Sequence, residues 1–356
     1  MTEQDRPVLV FIGTQDKAIH AALLSRRSGV LEPLGPVAEV ERPTFVLADP
    51  VRSALHCVSE MGNRGECIGS VHSFAVDRST GELSPLGHTP SGGGGPTHLC
   101  AATDGGALFI ANFGGGEVAS LALNDTGAPN PVASVRINHG NGPHRRQQGP
   151  HAHGVTLSPD GRHLLAPDMG ADRVFVYPME ADGLTLAPAL PTDALVPPGA
   201  GPRLILFGAD GRFAYLLTEL SAHIVTCAWH AETGALSALD DIALDPTDVT
   251  EGTSAAGFAI SGDGAFLYAS NRRTHAIHVF AIDGETGRLK PLQTVPSGGE
   301  KPWAIEITPC GGWLLAANQA SDRIALFRRD PKSGRLGSLC SDMTVPSPTG
   351  LAFFMP

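Results

Sequence analysis

At 356 residues and 37.0 kDa the chain is long enough for several ordinary domains or for one large repeat architecture. A hydrophobic content of 42% supports a sizeable core, while 43 glycines and 29 prolines against 6% aromatics argue for many turns and short strands rather than long helices. With 36 acidic against 25 basic side chains the formal charge is −11, which argues against nucleic acid as a partner and requires any anionic ligand to be held by a local cluster of cations.

The N-terminal stretch "MTEQDRPVLVFIGTQ" lacks the basic and long apolar regions of a secretory signal, and no run approaches the roughly 20 apolar residues of a membrane span. The six cysteines, Cys57, Cys67, Cys100, Cys227, Cys310 and Cys340, form no CxxC or paired spacing. They are expected to be reduced thiols of a cytoplasmic protein with no membrane attachment.

Residues 8–40 are expected to supply three strands. Six similar copies follow, at 42–76, 96–123, 150–177, 202–229, 254–283 and 301–330, with turn residues Asp49, Asp104, Asp160, Asp210, Asp263 and Cys310 about fifty residues apart. Each copy reads as an apolar strand, a tight turn at Asp-Gly or its equivalent, a second apolar strand, a polar loop and an alternating third strand. "TGEL", "TGAL", "TGRL" and "SGRL", at Thr80, Thr233, Thr286 and Ser333, then turn several copies into a fourth strand. Four antiparallel strands per fifty residues make a β-propeller blade. The C-terminal "SPTGLAFF" reads as a first strand, so it and the N-terminal three strands are expected to close a seventh blade. The fold class is therefore an all-β, seven-bladed β-propeller, with residues 1–356 as one domain and a monomer expected.

In such a ring equivalent loops gather at one mouth, which makes the repeat a map of the site. After the entering proline the copies read Thr97, His151, Arg203, Trp303 and Thr349; after the second strand they offer Asn112, Asp168, Glu219, Asn271, Arg272, Asn318 and Gln319. His151, Arg203, Glu219 and Arg272 replace what other copies fill with small or neutral residues, and His153, two along a strand from His151, is expected to share its side. The His-x-His spacing, with His139, His144 and Asp168 nearby, raises metal binding as an alternative. Arg145 and Arg146 oppose it by repelling a divalent ion, so neither metal nor cofactor is expected. Satisfied structural histidines are the third reading.

The runs "RRQQGPHAHGVTLSPDGRHLLAPD", "GPRLILFGADGRFAYLLTEL", "SNRRTHAIHVFAIDGETGRL" and "KPWAIEITPCGGWLLAANQ" resemble the lactonase family of seven-bladed propellers, of the 6-phosphogluconolactonase and carboxy-cis,cis-muconate cyclase type. The resemblance covers nearly the whole chain and implies an active-site set at His151 or His153, Arg203, Glu219 and Arg272. The chain departs from the family pattern near the mouth, with Gly257 where an acid is common and a second arginine in "PHRRQQ", and at the turn "TPCG".

Lactone hydrolysis needs a base to activate water, donors for the oxyanion and a hold on the substrate's anionic group. Glu219 or the His151/His153 pair is expected as base, and Arg203 and Arg272 on the carbonyl oxygen, phosphate or carboxylate. Arg146, Gln147, Asn271, Lys301, Trp303, Asn318 and Gln319 are expected to place the substrate. The absence of a GxSxG nucleophile motif disfavours an acyl-enzyme. A lactonising muconate cycloisomerase is the alternative activity, with a muconate as substrate, and a non-catalytic binding scaffold the alternative of another class.

Overall fold

The computed structural model describes residues 6–192, 195–244, 252 and 254–355. Seven antiparallel sheets follow one another around a ring, six of four strands and one of three. Numbered from the N-terminus, blade 1 comprises Val8–Thr14, Ala18–Leu24 and Leu31–Glu39 with the C-terminal Pro348–Phe354 as its innermost strand. Leu9 faces Phe354 and Ile12 faces Leu351, so both ends of the chain share one sheet, as the sequence predicts. Blades 2, 3, 5, 6 and 7 begin with the strands Val46–Asp49, Pro96–Ala101, Pro202–Phe207, Ala255–Ile260 and Pro302–Ile307.

The turns follow from backbone chemistry. Gly161, Gly211, Gly264 and Gly311 sit at φ of 70°, 71°, 70° and 71°, a region that costs other residues steric strain, which is why the first hairpins of blades 4 to 7 carry glycine there, whereas blade 2 places Ser53 at 51°. "TPCG" is thus a variant of the same turn.

The core is distributed in spokes rather than gathered at one centre. Seven apolar clusters each join two adjacent blades, from blades 1 and 2, around Phe11, Leu55 and Phe354, to blades 7 and 1, around Val10, Leu315 and Leu351. A cluster between every neighbouring pair means the ring is closed by packing as well as by strand pairing. No α-helix long and apolar enough to cross a membrane occurs among the described residues.

Blade 4 departs from the expected regularity. Its first ladder is confined to Thr156–Leu157, with an isolated bridge between Ala152 and Asp168, rather than running from Pro150. Pro167 of the neighbouring strand has no N–H to donate at the interruption, although its carbonyl still accepts from His153 N at 3.0 Å. Because Ala152 pairs with Asp168 as Pro202 pairs with Thr218, His153 rather than His151 occupies the ring position of Arg203. The sequence map was two residues out in this blade.

Candidate active site

The innermost strands of blades 5 to 7 and the segment leading into that of blade 4 bring Arg203, Trp303 and His153 to the wall of one cavity of about 130 Å³, which Ala256 and Gly257 also line. Glu219 and Arg272, each one residue beyond a second strand, complete the cluster behind Arg203 and Trp303. Arg203 Nη1 donates to both Glu219 Oε2 and His153 Nε2, while its Nε donates to Ala256 O at 3.1 Å. The other carboxylate oxygen, Oε1, is 2.8 Å from Arg272 Nη2 and 2.6 Å from Arg146 Nη1. Glu219 therefore sits at the meeting point of three guanidinium groups from three different segments.

This cluster is interior. Glu219 is 1%, Arg203 4% and Arg272 8% exposed, whereas the side chain of Arg146 keeps 42% of its surface. Arg203 and Arg272 are covered by their neighbours: the Trp303 ring lies against both guanidinium groups, and Arg203 Nε is bonded to Ala256 O. Burial alone pushes the Glu219 carboxyl up, but the charges of Arg272 and Arg203 outweigh it and hold the group well below the carboxylate range. Burial also lowers Arg203 to about 10, opposed by Glu219. His153 is held down to about 4, by burial first and by Arg203 second. It is neutral at pH 7, with Nε2 as the acceptor facing Arg203.

Second neighbours fix these positions. Trp303 lies beneath Arg272, 4.3 Å from guanidinium carbon to ring centroid, and 5.9 Å from Arg203. Phe113 meets the edge of His153 at 5.4 Å. His151 belongs to a separate arrangement: it stacks on Phe113 at 4.4 Å, and its Nδ1 lies 2.7 Å from Phe113 O. The two histidines thus flank one phenyl ring and do not act on a common atom.

Asp168, the third ligand considered for a metal, accepts from His151 N, Gly170 N, Ala171 N and Asn138 Nδ2 at 2.7–2.9 Å. Tyr177 in turn donates to Asn138 Oδ1. Burial raises the Asp168 carboxyl in spite of these donors. The network ties the loop that leads into His153 to the second strand. Among the described residues no group of three or more His, Cys, Asp or Glu has the arrangement to hold a metal ion.

Several expected substrate contacts prove to be parts of the loop framework. Gln147 is fully buried between His144 N and Met169 O, at 3.0 and 2.8 Å. Asn271 caps the turn at Arg273 N and Thr274 N, at 2.9 and 3.3 Å. Asn318 is bonded to Ser297 through both its oxygen and its nitrogen, at 2.7 and 3.0 Å. Lys301 is exposed, held by its backbone N–H to His275 Nδ1 at 3.0 Å, and Gln319 reaches Gln15 Oε1 at 3.2 Å. None of these five lines the cavity.

His98, Glu60 and Glu306 do line it and were not anticipated. His98 packs against Phe45 with the rings tilted and their centroids 4.4 Å apart, and burial holds it down to about 3. It stands one residue beyond Thr97 in the same repeat, so extending the map by one position along each inner strand would have reached it. Gly257, the departure from the family pattern, is explained by close approach: a Cβ there would lie 2.6 Å from Ile305 N of blade 7. An acid at this position would force the two inner strands apart.

The site is thus a buried cluster of arginines about one glutamate, set in a seven-bladed propeller, with Arg203 and His153 on the wall of a cavity. Comparison with known proteins narrows the class. Residues 9–353 match the family model "Lactonase, 7-bladed beta-propeller". The chain is 28% identical to the 6-phosphogluconolactonase of Bacillus subtilis, covering 96% of this chain and 97% of that one, and 28% identical to that of Formosa agariphila, at 94% and 95%. It superposes on the periplasmic gluconolactonase of Pseudomonas aeruginosa with a TM-score of 0.89 and 32% identity, covering 98% and 100% of the two chains. A putative 6-phosphogluconolactonase of Bacteroides fragilis gives 0.88 and 29%, at 99% of each. The chain belongs to the lactonase family of seven-bladed β-propellers, and it is a lactone-hydrolysing enzyme.

Proposed function

We propose that the enzyme hydrolyses a sugar lactone carrying an anionic group, with 6-phosphogluconolactone the leading candidate. The observation that carries this reading is charge: the guanidinium groups of Arg146, Arg203 and Arg272 converge on the single carboxylate of Glu219, leaving two positive charges in excess within a protein of net charge −11. Such a surplus in a partly closed cavity attracts and orients a phosphate or carboxylate.

In this reading the lactone carbonyl oxygen takes N–H groups of Arg203 and Arg272, which are already fixed by Glu219 and Trp303 and need little reorganisation. Glu219 is the organiser of the arginines rather than the base, because guanidinium groups occupy both oxygens and hold its basicity down. The base is His153. When the substrate oxygen draws Arg203 away from Nε2, that lone pair becomes free to take a proton from water, and the anion offsets the arginine charge that keeps the imidazole weakly basic. Water's oxygen bonds to the carbonyl carbon, the ring C–O bond breaks, and the proton passes to the departing ring oxygen, giving the hydroxy acid. His151 acts on the loop and not on substrate.

The closed set of blade interfaces supports a monomer, and the unpaired cysteines support a reducing, cytoplasmic setting. The functional test is acid release in a pH-stat from 6-phosphogluconolactone, gluconolactone and a carboxymuconate, with and without chelator. Fast, chelator-resistant hydrolysis of the first is expected. Lactone formation from the muconate without lactone hydrolysis would overturn the reading in favour of the cycloisomerase.

A further inference from the structure

Three residues along the inner strand from Trp303, about 10 Å at the usual rise, the same cavity is lined by Glu306. Its carboxyl is half-buried, the surface it keeps faces the cavity, and no described residue hydrogen-bonds to it. The other blades place Leu47, Cys100, Thr156, Leu206, Ala259 and Ala352 at this position. The fold therefore does not need an acid here, and a small or apolar side chain fills the ring six times in seven. The ionisable groups sharing the cavity are Glu60, His98, His153 and Arg203. Glu60 is taken up by Asn63 Nδ2 at 2.7 Å and Arg203 by Glu219, so neither serves Glu306.

A buried carboxyl without a partner costs stability unless something bonds to it. Here the open side leads to the substrate cavity. We propose that Glu306 is a specificity-determining residue that bonds a substrate hydroxyl at the end remote from Arg203 and Arg272, so that the cavity selects polyhydroxylated lactones over plain ones. This rests on the lactone reading above and adds the far end of the site. Burial pushes the Glu306 carboxyl up to about 8, so at neutral pH it is chiefly the uncharged acid. In that form its O–H donates and its carbonyl oxygen accepts, which suits a sugar hydroxyl, and it does not repel an anionic substrate as a carboxylate would.

The experiment pairs enzyme and substrate changes. E306L, which installs the residue blade 5 carries at Leu206, and E306Q, which keeps a neutral hydrogen-bonding group, are assayed against D-gluconolactone and its monodeoxy analogues. For the wild type, loss of one particular hydroxyl should lower kcat/KM about ten-fold, the worth of one hydrogen bond. In E306L the same deletion should cost almost nothing further, because the partner is already gone. E306Q should fall between, with KM moving more than kcat. If every deoxy analogue is penalised equally in wild type and E306L, the Glu306 proposal is overturned while lactone hydrolysis stands. If the wild type hydrolyses no lactone at all, the functional reading falls and takes this proposal with it. Thermal midpoints separate recognition from folding: E306L should melt no lower than wild type, since it removes a desolvated carboxyl.

Discussion

Arg272 lies over the face of Trp303, 4.3 Å from guanidinium carbon to ring centroid, and in that position its Nη2 reaches Glu219 at 2.8 Å. The indole thus acts as a shelf that sets the height of the arginine. Trp303→Leu keeps an apolar floor but removes the cation–π term, worth about 0.5–2 kcal/mol. We expect a loss of about two- to thirty-fold in kcat/KM, measured on the best lactone, with little change in the far-ultraviolet spectrum. Unchanged kinetics would show that Glu219 alone places Arg272.

Arg203→Ala should lower turnover on the order of 10²-fold, as for loss of one oxyanion donor. Arg203→Lys should recover only part of this, because an ammonium cannot bond Glu219, His153 and Ala256 O from one rigid fork. Steady-state kinetics of the two variants decide the matter, and full recovery by lysine would contradict it.

Glu219→Gln is expected to be chiefly a stability variant. It leaves the buried Arg203 and Arg272 without their countercharge, and breaking a buried pair in this way costs about 3–5 kcal/mol. Urea denaturation should read the loss. Arg146→Ala removes only the partly exposed member and should cost about 1 kcal/mol or less. Equal costs for the two variants would mean that the cluster is wetter than its burial implies.

Acid should loosen the fold before it reaches the ordinary carboxylate range. His153 and His98 are held near 4 and 3, below the 6.5 of an unfolded chain, so the unfolded state takes up protons first and stability is lost as pH falls from about 6.5 toward 3. Glu219 acts in the same direction: its contribution is whole above the unfolded carboxylate value and is lost as pH falls through its depressed one. Asp168 and Glu306, both raised by burial, act in the opposite direction, Glu306 from about pH 8 downward. In E306L, which lacks the opposing carboxyl of Glu306, urea midpoints should decline steadily between pH 6.5 and 4.5, and a flat profile in that variant would refute this balance.

Deleting residues 346–356 removes the inner strand of blade 1 and exposes Val10, Ile12 and Leu315 at once. The truncated chain should be insoluble or melt far lower, as seen by calorimetry. A soluble truncation of equal stability would show that pairing of the two ends is dispensable.

The ring was legible in the sequence because its unit is short and repeated, with a glycine turn that recurs in the first hairpins of blades 3 to 7, where the backbone enters positive φ. The cluster was legible because repeats turn distance in sequence into proximity in space: Arg203, Glu219 and Arg272 come together as their equivalent positions imply. Two things were not legible. Pro167 interrupts a ladder in blade 4, and only the resulting bridge at Ala152 reveals that His153 holds the place assigned to His151. Asn271, Asn318 and Gln147 are the right residue types at the mouth, but their amides are used by turns, which composition does not distinguish from substrate contacts. Glu306 escaped because the map followed the loops and stopped short of the channel wall.

The shared sheet of blade 1 also has a consequence for how the protein is made. Strand Val8–Thr14 leaves the ribosome more than 300 residues ahead of its neighbour Pro348–Phe354. At about 5–20 residues per second, the interval is some tens of seconds. Throughout it the first blade presents an unpaired edge, and the nascent chain depends on that edge staying free of other strands until its own last segment arrives.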